Sequence, residues 1–309
     1  MNQMSDQAST LRTMTDAATI NMTLSSPPVR ANNTIATHPR LRARSIAITS
    51  GKGGVGKSNI AVNVALELAT RGRRVFLVDA DLALANADVL LGVNHRFHLG
   101  HVLSGERRLE DILIKVEKDM TLIPGGSGIE TLANLLPGQH AQVLAELGTL
   151  EDQADFMILD TASGIATNVV SVLRAAAEVV VVTTPDPTAV VDAYATIKIL
   201  HQHSTSKPIW ILVNEVVGIG EAERIFGQLQ STTSRFLGHP LKFLGMIPRD
   251  PELADAVRAQ TPVIAYAPAA PASRAIKLIA KHLDSAERVG LSIGQIASSF
   301  WHLLGEPLT

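Results

Sequence analysis

Eight consecutive residues carry the most legible chemistry in this chain: Gly51-Lys52-Gly53-Gly54-Val55-Gly56-Lys57-Ser58. They fit G-x-x-x-x-G-K-[ST], the spacing with which a backbone wraps a polyphosphate. Glycines let successive N–H groups turn towards one centre, and a helix that follows places the positive end of its dipole there. In such a loop Lys57 reaches the β- and γ-phosphates and Ser58 offers its hydroxyl to Mg²⁺, with Asn59 beside them at the helix start. The expected ligands are a nucleoside triphosphate and Mg²⁺.

The same letters also spell G-x-G-x-x-G (Gly51, Gly53, Gly56), and Asp79 lies about 20 residues further on, as in a dinucleotide-binding fingerprint. Lys57 and Ser58 argue against that reading, because a dinucleotide site needs neither a phosphate lysine nor a magnesium hydroxyl. Two further aspartates weigh the same way. Val75-Phe76-Leu77-Val78 runs into Asp79-Ala80-Asp81, and Phe156-Met157-Ile158-Leu159 runs into Asp160. Carboxylates at the C-terminal ends of parallel strands stand where such sheets bind ligands. Asp160 fits the Walker B position that holds Mg²⁺ through water. Asp79 joins Ser58 and Asp160 in the candidate metal set, and Asp81 stands beside the γ-phosphate near an attacking water.

The positioning elements follow from hydrophobic pattern. Ser45–Thr49 reads as a strand feeding the glycine loop. Asn59–Arg71 reads as a helix, with Ile60, Val64 and Leu68 on one face and Gly72 ending it. Short apolar runs at 75–78, 120–124, 156–159, 179–182, 209–213 and 243–247 alternate with helical patterns. That alternation predicts an α/β fold: a doubly wound, mostly parallel sheet of seven or eight strands with helices on both faces. Leu99–Leu103 and Leu109–Val116 read as amphipathic pieces, Gly125-Gly126-Ser127-Gly128 as a flexible turn, and Ala162-Ser163-Gly164 as a mobile turn.

Composition sets outer limits. The chain has 309 residues, 46% hydrophobic but only 4% aromatic, so its core is expected to be aliphatic. A formal net charge of -2 gives no support to a general nucleic-acid surface. Cysteine is absent, which removes disulfides, thiolate metal sites and iron–sulfur clusters. No apolar run reaches the roughly 20 residues of a membrane span, and no signal peptide is visible. A cytoplasmic protein is expected. Residues 1–44 read as a flexible leader, 45–284 as the catalytic domain, and 285–309 as a C-terminal amphipathic helix. In that last segment Ile293, Ile296, Ala297, Phe300, Trp301 and Leu304 form a stripe.

The loop with its early lysine, K-G-G-x-G-K-S, resembles the deviant Walker A motif of the MinD/ParA class of ATPases. Within that class, Asp79-Ala-Asp81 through Gly92 and Asp160-Thr-Ala-Ser-Gly164 are similar to the switch segments of the FlhG/FleN group, over roughly Ser45 to Leu283. Ala162-Ser163 stands where the group leads one to expect Gly-Ala. The resemblance implies ATP as the nucleotide and a homodimer closed face to face around it, with Lys52 crossing to the other subunit's phosphates. It places Asn214, Pro248 and Asp250 beside the adenine. It also implies a regulator of flagellar number and placement rather than a metabolic enzyme.

The leader carries Asp6-Gln7-Ala8-x-x-Leu11-Arg12, which matches the motif with which this group is thought to stimulate the partner GTPase FlhF. Flagellar basal-body or transcription factors are further implied partners. By the same resemblance the tail would attach to the inner membrane when ATP is bound. Its polar face offers no Lys or Arg to anionic lipid, and the other reading is that the stripe docks on the protein's own core. The alternative is a MinD- or ParA-type ATPase that positions division or DNA-segregation machinery.

Overall fold

The computed structural model describes residues 42–81, 86–117, 119–134, 141–203, 207–286 and 299–305. In chain order the elements are β1 (Arg44–Thr49), α1 (Lys57–Thr70), β2 (Val75–Ala80), α2 (Ala87–Leu91) and α3 (Leu99–Leu103). A 3₁₀ turn (Leu109–Ile112), β3 (Ile114–Glu117), β4 (Met120–Pro124), α4 (Ser127–Ala133) and α5 (Ala141–Gln153) follow. Then come β5 (Phe156–Thr161), α6 (Thr167–Ala175), β6 (Glu178–Thr183), α7 (Pro187–His203) and β7 (Ile209–Val216). The remainder is α8 (Ile219–Leu237), β8 (Lys242–Pro248), α9 (Pro251–Arg258), α10 (Val263–Tyr266), α11 (Pro271–Ser285) and α12 (Phe300–Leu304).

Eight strands lie in the order β3-β4-β2-β5-β1-β6-β7-β8. All pairings are parallel except β3 with β4. β1 sits at the switch point, with β5 on one side and β6 on the other, so the loop that leaves it opens into the crevice where the winding reverses. Register places the acids: Asp79 of β2 is directly opposite Asp160 of β5, and Ile48 of β1 is the other neighbour of Asp160.

Two apolar layers hold the sheet. Ile46 and Ile48 of β1 face one way, with Leu77, Ile158 and Val180, onto α1 and α11. Ala47 faces the other way, with Val78, Leu159 and Val181, onto α5, α6, α7 and α8. Both faces are covered over the inner strands, which are therefore largely apolar, whereas the edge strand β3 (Ile-Lys-Val-Glu) alternates. Beneath the sheet, the buried Arg44 guanidinium pairs with Glu178 and donates to the carbonyl of Leu283, while Trp210 Nε1 donates to Glu178 at 2.8 Å. This network ties the first strand to the end of α11.

Two expectations change on folding. Leu109–Val116 is not one amphipathic piece: Leu109–Ile112 makes a 3₁₀ turn, and Ile114–Glu117 is an edge strand antiparallel to β4. The Gly125–Gly128 stretch is not a flexible turn, because Ser127 already belongs to α4. Gly125 N donates to Asp79 O at 3.0 Å, and Gly128 packs on the backbone of Leu99 and Gly100. Those glycines serve close contact between α3 and α4, which local pattern does not distinguish from flexibility.

Candidate functional site

The loop between β1 and α1 is shaped by its neighbours. Gly56, the N-cap of α1, has φ 86°, the left-handed region that glycine enters without strain. A Cβ there would also collide with the Asn214 side-chain amide. No side chain caps the N-terminus of α1, so the first-turn N–H groups of this 14-residue helix remain available to a ligand.

Lys57 is the first residue of that helix and is 8% exposed. Its Nζ lies 3.6 Å from Asp160 Oδ1 and 3.9 Å from Asp81 Oδ2, which bridges the ends of β5 and β2. Asp160 is fully buried, and among the described residues neither of its carboxylate oxygens has a hydrogen-bond partner. Burial pushes its pKa up, while nearby Lys57 and Ser58 favour the charged form. Asp79 is raised to about 7, first by burial and then by the neighbouring Asp160. Its oxygens are engaged by the backbone: Oδ1 accepts from Asp81 N and Oδ2 from Ala87 N, both at 3.2 Å. Of the paired strand-end acids, Asp160 therefore has the free lone pairs. A buried carboxylate with two unused oxygens beside a helix-start serine is a fit for a hard divalent cation such as Mg²⁺.

Lys52 points elsewhere. Its Nζ donates to Asp186 Oδ2 at 2.6 Å and to Thr188 Oγ1 at 2.7 Å, both at the start of α7. Lys52, followed by Thr188, holds the Asp186 carboxyl down at about 2. A cavity of about 300 Å³ opens between the loop and the ends of β6, β7 and β8, lined by Lys52, Gly53, Gly54, Val55, Thr184, Pro185, Asp186, Glu215 and Arg249.

The residues expected near the base occupy different settings. Asn214 is 2% exposed, its Nδ2 donates to Val55 O at 2.8 Å, and its Oδ1 has no partner among the described residues. Pro248 ends β8 opposite Val216. Asp250 caps α9, accepting from Glu252 N at 3.1 Å, and also accepts from Ala272 N at 2.8 Å, so both oxygens brace the fold. Asn59 sits in the first turn of α1, where its carbonyl accepts from Asn63 Nδ2 at 2.8 Å.

Sequence reasoning did not pick out Asp186, Thr188, Glu215 or Arg249. The available signal was position: Asp186, Thr188 and Arg249 follow strand ends, and Glu215 is the penultimate residue of β7, on the same edge of the sheet as Asp81 and Asp160. Glu215 also adopts φ 58°, uncommon for a non-glycine residue, and stands 3.9 Å from Arg249 across the cavity mouth.

A phosphate loop at the switch point of a mainly parallel sheet, with a buried lysine between two strand-end aspartates, defines a P-loop nucleotide hydrolase. Comparison with known proteins narrows the class. A family model described as "AAA domain" matches residues 43–208, and one described as "NUBPL iron-transfer P-loop NTPase" matches 138–284. Antiactivator FleN of Pseudomonas aeruginosa is 41% identical over 240 residues, 78% of this chain and 86% of that protein. Flagellum site-determining protein YlxH of Helicobacter pylori is 38% identical over 251 residues, 79% of this chain and 83% of that protein. The septum site-determining protein MinD of Pyrococcus horikoshii, solved in complex with Mg-ADP, superposes with TM-score 0.64 at 24% identity, over 79% of this chain and 96% of that one. The chain belongs to the MinD-like P-loop ATPases, in the group that includes FleN and YlxH.

Proposed function

We propose that the protein is an ATP-hydrolysing dimerisation switch that regulates flagellar number and placement. The observation that carries this reading is the split assignment of the two loop lysines. Lys57 is buried between Asp81 and Asp160, whereas Lys52 is exposed and held at the start of α7. In this reading Lys57 serves its own subunit's phosphates, and Lys52 leaves Asp186 and Thr188 to serve a neighbour's.

Ser58 and Asp160 would hold Mg²⁺, which would supply charge neutralisation for the polyphosphate. Asp79 supports this set by fixing the backbone at Asp81 and Ala87. Lys57 and the first-turn N–H groups of α1 bind and orient the polyphosphate. Asp81 orients the attacking water, with Lys57 Nζ 3.9 Å from its Oδ2. Catalysis is then positioning and preorganised charge, with no covalent enzyme intermediate. Asn214 Oδ1, buried and without a partner among the described residues, is suited to accept from the amino group of adenine.

Two FlhG/FleN features extend the proposal: the leader motif Asp6–Arg12 acting on the GTPase FlhF, and the tail attaching to the membrane in the ATP state. The names of the two flagellar relatives support the pathway. The first of these segments lies outside the described residues, as do Ile293, Ile296 and Ala297 of the tail.

Light scattering with ATP and Mg²⁺ tests the switch. The wild-type protein is expected to dimerise, Lys52→Ala and Lys57→Ala to stay monomeric, and Asp81→Ala to hold the dimer longer than wild type. If both wild type and Asp81→Ala remain monomeric, the dimer reading fails.

A further inference from the structure

The turn after β5 presents a hydroxyl that the chemistry above leaves unused. Thr161, the last residue of β5, donates from Oγ1 to Ile48 O at 3.1 Å. Three residues on, Gly164 N donates to Ser50 O at 2.8 Å. Both acceptors lie on the short stretch that leads into the phosphate loop, so the turn is tied at each end to the base of that loop. Ser163 falls between the two ties. It is exposed, and its Oγ lies 3.6 Å from where a Cβ on Gly53 would stand. Because residue 53 is a glycine, no side chain separates this hydroxyl from the loop backbone next to Lys52.

We propose that Ser163 is a further substrate-contacting residue, whose hydroxyl donates a hydrogen bond to the terminal phosphoryl group of the bound triphosphate. The proposal rests on the reading of the loop as an ATP site and adds a specificity element to it. A neutral hydroxyl facing a phosphoryl oxygen makes a charge-assisted hydrogen bond, stronger than a neutral pair. Anchored on both sides, the donor needs little reordering when the ligand arrives. A diphosphate has no terminal group at that place, so the contact favours ATP over ADP. The small apolar side chain expected here from the FlhG/FleN resemblance could make no such bond, so the discrimination is particular to chains with serine at this position.

Calorimetric titration of wild type, Ser163→Ala and Ser163→Thr with Mg²⁺ and either ADP or a non-hydrolysable ATP analogue tests this directly. Ser163→Ala is expected to weaken the triphosphate analogue about tenfold, the scale of one hydrogen bond to a charged group, and to leave ADP unchanged. Ser163→Thr, which keeps the hydroxyl, is expected to retain most of the difference. Equal losses for both nucleotides, or no loss for either, would overturn the proposal while leaving the ATP site intact. A wild-type protein that binds neither nucleotide would overturn the site reading and this proposal with it. Thermal melting of the ligand-free variants confirms that each is folded.

Discussion

Lys52 shows how much one side chain's rest position can matter. In the single subunit its ammonium is satisfied by Asp186 and Thr188, and Thr188 N also donates to Asp186 Oδ1 at 2.8 Å. For Lys52 to serve another subunit's phosphates, these bonds must break. The Asp186 carboxyl, held at about 2 with Lys52 as the first cause, is ionised at every pH at which the protein works. Asp186→Asn is therefore expected to raise the dimer fraction at limiting ATP by a few-fold, the scale of an exposed ion pair. Sedimentation velocity across an ATP series measures it. An unchanged or smaller dimer fraction would mean that Asp186 does not restrain Lys52. Asp160, by contrast, meets Lys57 Nζ only at 3.6 Å, and neither of its carboxylate oxygens has a hydrogen-bond partner among the described residues.

Among the elements, α12 bears most on regulation. Phe300, Trp301 and Leu304 are buried against α5 and α6, and Trp301 is 0% exposed. The helix start is held by Glu151 of α5, which accepts from Ser299 Oγ and from Trp301 N at 3.2 Å. The carbonyl of the same residue accepts from Ala43 N at 2.9 Å, so Glu151 also anchors the chain just ahead of β1. The docking is not fully satisfied, since Trp301 Nε1 has no partner among the described residues. A buried unpaired donor costs about 1–3 kcal/mol, which eases departure of the helix.

Burial raises the Glu151 carboxyl above 4.5, although the hydrogen bonds from Ser299 and Trp301 oppose it. A raised acid keeps a proton that the unfolded chain loses, so its contribution is complete below 4.5 and is lost as pH rises through the raised value. Glu151→Gln removes that titration. Urea midpoints at about pH 5 and pH 8 are expected to fall less for Glu151→Gln than for wild type, and equal falls would discount the residue. Flotation with anionic liposomes tests what release achieves. Binding is expected with ATP, little without it, and none for Trp301→Glu; equal flotation with and without nucleotide would leave α12 as a packing helix.

At the scale of the whole molecule, the proposal joins a nucleotide switch to two terminal segments, one at the leader and one at the tail. Separability is the testable property of the leader. A peptide of residues 1–20 is expected to accelerate GTP hydrolysis by FlhF severalfold, and Gln7→Ala or Arg12→Ala to weaken that effect. A peptide without effect, alongside full-length protein that stimulates, would remove the motif from the mechanism. No described helix is long and apolar enough to cross a membrane.

The amino-acid sequence by itself determined the phosphate loop, the three strand-end aspartates and the alternating α/β order. Each depends on residue type and local spacing, and glycine, lysine and apolar runs declare those directly. Tertiary structure alone decided which residues meet. The β2–β5 register sets Asp79 against Asp160, parallel stacking brings Asp186 and Arg249 to the mouth of the loop, and two backbone ties hold Ser163 beside Gly53. β3 and the packed glycines of α4 were likewise hidden, because an edge pairing and a close helix contact leave no periodic trace. Nor could amphipathicity tell whether α12 faces lipid or core, since the same apolar stripe serves both. The carboxylate of Glu151, distant in sequence and adjacent in space, made that choice for the folded chain.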